Sequence, residues 1–282
     1  MDAYITKIKA ISERLLKDGT VEAVIGFREG TLPTMSEPCF IKRSDDVKDL
    51  VWNANCRINL ANYLTNRKEK IAIVAKGCDS RNIVNHIVEN KIKRDQLFII
   101  GVPCKGMNDK DTGALQDNCA TCTHRNPVIY DELAGDLVEE QTNVDKYADV
   151  KKVEAMTPDE RWAYFDNLYA ACTRCYACRN ACPLCYCPTC FVDESKPQWV
   201  GKGEDPIDVR TYHFLRAYHC AGRCTDCGSC ESACPQNIKV RQLTKKLEKD
   251  CAELFGWEAG LTLDKRPPLD TFSIDDPNDF IK

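Results

Sequence analysis

At 282 residues the chain can build one large domain or two ordinary ones, and 43% hydrophobic with 29% charged residues suits a soluble globular protein. A formal net charge of −4 offers no positive field to nucleic acid, and no apolar run approaches the roughly 20 residues that would insert into a membrane. The first residues lack the basic-then-apolar layout of a signal peptide, so a cytoplasmic protein is expected; in that reducing compartment 19 cysteines point to metal rather than to a disulfide framework.

In chain order, residues 1–130 read as an α/β domain with parallel strands. Ile5, Ile8, Ile11 and Leu15 recur at helical spacing. Val21 to Phe27 predicts a strand, and Asp46 to Tyr63 an amphipathic helix carrying Val47, Leu50, Val51, Ile58 and Leu60. Ile71 to Ala75 and Leu97 to Gly101 read as buried strands flanking a helix from Ser80 to Glu89, a right-handed crossover between parallel strands. Residues 131–166 are charged and poor in large apolar side chains, as in a linker or a helical connection. The cysteine-rich stretch 167–255 follows, closing with a helix over Ile238 to Phe255. The tail, 256–282, with three prolines and many aspartates, is expected to be an extended arm on a partner or a disordered end.

Cys172-Thr-Arg-Cys175-Tyr-Ala-Cys178-Arg-Asn-Ala-Cys182-Pro183 is repeated by Cys224-Thr-Asp-Cys227-Gly-Ser-Cys230-Glu-Ser-Ala-Cys234-Pro235. Both match the C-x2-C-x2-C-x3-C-P run that binds four-iron four-sulfur (4Fe-4S) clusters in bacterial ferredoxins, where the fourth cysteine ligates the other cluster. The expected ligands are therefore Cys172, Cys175, Cys178 and Cys234 for cluster one, and Cys224, Cys227, Cys230 and Cys182 for cluster two. The fold expected overall is α+β, with a C-terminal ferredoxin-like domain carrying two 4Fe-4S clusters and a helical insertion. Paired C-x2-C elements also suit zinc, but zinc would leave cysteines of the two identical runs idle.

Further cysteines form two groups. Cys78 follows the first parallel strand, Cys104 the second, and Cys119 and Cys122 form a C-x2-C pair on an expected loop. Adjacent parallel strands bring such positions to one carboxyl edge, so these four are expected to hold a third 4Fe-4S cluster or a zinc ion, against a reading as small buried apolar residues. Cys185, Cys187 and Cys190 either ligate metal together with Cys56 or Cys220, or pack as thiols beside cluster two. Cys39 and Cys251 read as core residues. Arg174, Arg179 and Arg223 lie within or beside the motifs and could offset cluster charge or face an acidic partner, whereas His86, His124, His213 and His219 are scattered. No G-x-G-x-x-G is present to bind a dinucleotide.

On these runs, and on the longer stretches Cys172–Cys190 and Tyr218–Ile238, the C-terminal third resembles dicluster iron–sulfur beta subunits of formate dehydrogenases, cytosolic hydrogenases and heterodisulfide-reductase-type complexes. It departs from a simple ferredoxin in the insertion between Cys190 and Cys220, which carries a helix ending near His219 and suggests a docking surface. The resemblance implies an electron-transfer subunit of an anaerobic oxidoreductase. It would pass single electrons between a catalytic partner subunit and another carrier such as soluble ferredoxin, with no catalytic residue of its own. It also implies an alternative, a flavin-bearing subunit that reduces a deazaflavin or nicotinamide. A redox sensor or a structural zinc protein is the further alternative.

Overall fold

The computed structural model describes residues 2–270. Helix α1 (Asp2–Lys17) buries Ile8, Ile11 and Leu15 and leaves Ile5 partly exposed. Six strands form one sheet: β1 (Ala23–Glu29), β2 (Ser36–Ile41), β3 (Leu50–Val51), β4 (Ile71–Ala75), β5 (Leu97–Gly101) and β6 (Glu132–Leu133). Their order is β2-β1-β4-β5-β6, with β3 also on β1. The pairs β1–β4, β4–β5 and β5–β6 are parallel, while β2 and β3 run antiparallel to β1. Every residue of β4 is buried, which explains its unbroken apolar sequence: both faces of a central parallel strand are covered. Each such Ile or Val contributes about 1.5–3 kcal/mol on burial. Helices and a mixed sheet together make the protein α+β.

Helix α2 (Gly77–Val88) links β4 to β5. The helix expected over Asp46–Tyr63 does not form. That stretch holds a 3-10 helix (Ser44–Asp49), strand β3 and a second 3-10 turn (Leu60–Tyr63). Two local forces override its apolar periodicity. Leu50 and Val51 pair with Arg28 and Phe27 on β1, and Asn53 diverts the chain by accepting from the backbone N–H of Asn55 through its side chain. Strand β2 escapes the sequence reading because Pro38 interrupts it; as the edge strand it tolerates the missing N–H.

Beyond β5 the chain adds α3 (Asp117–Ala120), α4 (Ala148–Glu154), α5 (Pro158–Tyr169), α6 (Ala177–Asn180), α7 (Pro206–His219), α8 (Ser229–Ser232) and α9 (Arg241–Phe255). The one-turn helix α3 contains Cys119, where a loop was expected. Helix α5 starts at a reciprocal cap between Thr157 and Glu160, and α7 at Asp205 followed by Pro206. The stretch 256–270 lies on this chain itself: Trp257 Nε1 donates to the Gly222 carbonyl at 2.7 Å, and Arg81 donates to the Ala259 carbonyl at 2.7 and 2.9 Å. Residues 271–282 of the expected arm lie outside the described residues.

The sheet and the cysteine-rich half meet across a polar seam. Asn82 donates to the Thr225 hydroxyl, Asn85 to the Arg223 carbonyl and Gln116 to the Ser232 hydroxyl, each at 2.7 Å, and the Asn59 N–H donates to the Ser229 hydroxyl at 2.7 Å. Helix α2 thus turns Ile83 to the sheet core and buries Asn82, Asn85 and His86 against the cysteine loops.

Candidate metal centres

The two motifs adopt one backbone conformation. In each, the residue before the second cysteine (Arg174, φ 50°; Asp226, φ 54°) and the residue after it (Tyr176, φ 60°; Gly228, φ 74°) are left-handed. Each loop then enters a one-turn helix at the same offset, α6 and α8. Positive φ at two of three successive positions curls a loop so that its cysteines face one interior. Gly228 is further required by space, since a Cβ there would meet Asn118 at 2.6 Å.

Cys172, Cys175 and Cys178 line one cavity together with Cys234, which comes from the other motif. Cys224, Cys227 and Cys230 line a second together with Cys182. The cavities are alike in size, each about 20 Å³. Backbone N–H groups reach the sulfurs: Asp226 to Cys224 Sγ and Ile238 to Cys234 Sγ, both at 3.4 Å. Cys78, Cys104, Cys119 and Cys122 line a third cavity at the carboxyl ends of β4 and β5, where Gly106 N–H lies 3.3 Å from Cys104 Sγ and Met107 N–H 3.4 Å from Cys119 Sγ. Cys227 lines this third cavity as well as the second. A fourth cavity takes Cys185, Cys187, Cys190 and Cys220, the last of which also lines the second. Cys56, the other partner weighed for that group, is fully buried in the sheet core, its sulfur accepting from the Asn53 N–H. Cys39 and Cys251 are buried.

The donor chemistry fits anionic metal–thiolate groups. Burial pushes the Cys227 thiol up to about 11 and the Cys104 thiol up to about 12, so ionised sulfur there needs bound positive charge. Cations supply part of it. Arg216 is 5% exposed and forms no ion pair with a carboxylate among the described residues; one nitrogen donates to the Cys178 carbonyl and its Nε has no hydrogen-bond partner. Burial works against its charge, but Cys182, Cys230, Cys220 and Cys185 around it raise its pKa well above the usual arginine value. An unpaired buried guanidinium is costly by several kcal/mol, and a neighbouring anion removes that cost. At the first cavity Arg174, equally buried, donates to the Gly201 and Gly203 carbonyls and the Tyr176 hydroxyl. At the third, Lys76 is 2% exposed, 2.8 Å from Asp79.

Of the three arginines singled out in the sequence, only Arg174 lines a ferredoxin-motif cavity; Arg179 pairs with Asp193 at 2.9 Å and Arg223 with Glu89. Arg216 and Lys76 escaped the sequence reading because their burial is a tertiary fact, although each lies close to a cysteine in sequence. His213, read as one of several scattered histidines, places Nε2 3.3 Å from Cys172 Sγ. Its ring stacks on Tyr169 with centroids 4.2 Å apart, and burial lowers its pKa to about 3, leaving a neutral imidazole beside the sulfur. Tyr212 brings its hydroxyl 3.5 Å from Cys178 Sγ.

No helix among the described residues is long and apolar enough to cross a membrane. No family model matches the chain. The chain is 22% identical to the F420-dependent formate dehydrogenase subunit beta of Methanocaldococcus jannaschii, over 93% of each protein. It is also 22% identical to the F420-dependent formate dehydrogenase 1 subunit beta of Methanococcus maripaludis, over 93% of this chain and 92% of that one.

Proposed function

We propose that this chain is the iron–sulfur electron-transfer subunit of a formate-dehydrogenase-type oxidoreductase, passing single electrons between a catalytic partner subunit and another carrier. The observation that carries the reading is the crossed quartet: each motif supplies three cysteines to one cavity and its fourth to the other. When bound, 4Fe-4S clusters supply one-electron redox chemistry at potentials set by their surroundings. Cys172, Cys175, Cys178 and Cys234 would hold cluster one, Cys224, Cys227, Cys230 and Cys182 cluster two, and Cys78, Cys104, Cys119 and Cys122 a third. Arg174, Arg216 and Lys76 would then offset cluster charge, and the backbone N–H groups on the sulfurs would favour the reduced state. The wall shared at Cys227 makes cluster two the middle member of the relay.

The relatives' names support a catalytic partner of the formate dehydrogenase kind. The outer face of α7 supports docking on the insertion: Ile207, Phe214 and Tyr218 are at least half exposed, and Arg210 lies over the exposed Trp162 ring. The test is to purify the tagged chain anaerobically with whatever catalytic subunit accompanies it and to add formate. Bleaching of the broad cluster absorption is expected. Clusters that dithionite reduces but formate does not would refute the assignment.

The name "F420-dependent" carried by both relatives favours a second reading, in which this chain holds a flavin and itself reduces a deazaflavin. Resolved flavin bands in the spectrum of the purified protein would establish it.

A further inference from the structure

Helix α7 belongs to the insertion between the two motifs, and its buried face is turned to the first loop. Three of its side chains reach that loop within little more than one turn. Tyr212 brings its hydroxyl 3.5 Å from Cys178 Sγ, His213 places Nε2 3.3 Å from Cys172 Sγ, and Arg216 donates to the Cys178 carbonyl at 3.1 Å. Packing keeps both rings in place. Tyr212 is 1% exposed and His213 4%; Tyr169, the last residue of α5, stacks on the His213 ring, and Tyr176 meets the Tyr212 ring edge-on with centroids 5.3 Å apart. The second loop has no counterpart to this helix. Its Cys224 sulfur meets the Asp226 N–H and its Cys227 sulfur lies 3.6 Å from the Ser229 hydroxyl, and among the described residues no imidazole or phenol reaches it.

We propose that His213 and Tyr212 donate hydrogen bonds to the Cys172 and Cys178 thiolates and thereby raise the reduction potential of cluster one, an inference that rests on the cluster reading above. Sulfur is a large atom, so both separations are hydrogen-bond distances. A thiolate on iron carries no proton and can only accept. The imidazole therefore holds its proton on Nε2, and the Tyr212 hydroxyl points its proton at the sulfur. Reduction adds one electron and moves no proton. Part of the added negative charge falls on the thiolates, both hydrogen bonds strengthen, and the reduced state is favoured. Neither side chain is a ligand; each is a positioning residue that acts through a cysteine. The insertion thus supplies the first loop with side-chain donors that the second loop does not have.

The test is a redox titration, followed by electron paramagnetic resonance, of the anaerobically purified full chain and of its His213→Leu and Tyr212→Phe variants. Cluster one is identified by the signal that Cys234→Ala removes. Its potential is expected to fall in each variant, with iron and sulfide content unchanged and cluster two unmoved. For His213→Leu the reduction equilibrium shifts roughly tenfold, about 59 mV for one electron, and for Tyr212→Phe by less. An unmoved cluster-one potential in either variant, or an equal shift of both clusters, overturns the proposal. Should His213→Leu not take up its cluster, Tyr212→Phe, which removes a single oxygen, decides. A wild-type protein with no cluster signal would instead refute the cluster reading, so the two fail separately.

Discussion

The sheet half and the cysteine half of this chain are held together by different forces. In the sheet, β4 buries all five of its residues and stacks Ile73 between Ile25 on β1 and Ile99 on β5. That region is stabilised chiefly by removing apolar surface from water, with the buried Lys76–Asp79 ion pair at its carboxyl edge. The cysteine half has a small apolar cluster that includes Cys178 and Cys234 themselves. Its interior holds Arg174, Arg216, Arg241 and Lys245, and its loops spend several residues in the left-handed region. Buried cations and strained turns cost free energy; Asp226 and Glu231 offset that cost for Arg241 and Lys245, and the proposed anionic clusters would offset it beside Arg174 and Arg216. The polar seam along α2 lets the two regimes meet without either intruding on the other.

The contrast breaks most visibly on removing iron. Chelation under reducing conditions is expected to open the stretch from about Cys172 to Cys234 to protease while the sheet stays resistant; mass mapping of the first cuts reads this out. Equal loss of both halves would mean that one core serves both. The next largest effect is selective. Cys182→Ala is expected to abolish the cluster of the second loop, and Cys234→Ala that of the first, as judged by which electron paramagnetic resonance signal disappears. Loss of the signal from the same loop in each case would end the crossed assignment.

On the other side of the comparison, Ile73→Ala is expected to lower stability by about 2–5 kcal/mol through a cavity in the sheet, with iron content unchanged. Denaturant midpoints and iron analysis check both parts. The smallest effect is that of pH on the sheet. Burial raises Cys39 from the ordinary thiol value of 9.0 to about 11. Its folded pKa lies above its unfolded one, so its contribution is complete below pH 9 and is lost as pH rises from 9 to 11. The loss is on the order of 2–3 kcal/mol. Cys39→Val is expected to flatten that part of the stability profile; an unchanged slope would assign the dependence elsewhere.

The legibility of the sequence divides along the same line. Strands β4 and β5 could be read to the residue, because a strand covered on both faces leaves an unbroken apolar run. Spacing within a loop, and strand order in a parallel sheet, both survive in the linear chain; they group the cysteines into three quartets, and the members of each quartet line one cavity. What could not be read depends on partners distant in sequence. Leu50 and Val51 fit a helix by spacing and joined β1 instead. Asn82, Asn85 and His86 look like the wet face of a helix and are buried against the cysteine loops. Arg216 resembles any surface arginine until Cys182, Cys185, Cys220 and Cys230 are found around it.

Iron and acid-labile sulfide, counted per chain in anaerobically purified protein, test the relay at its root. Roughly eight of each are expected from the two motifs, and roughly twelve with the third site. A colourless protein with zinc in place of iron and no labile sulfide would contradict it.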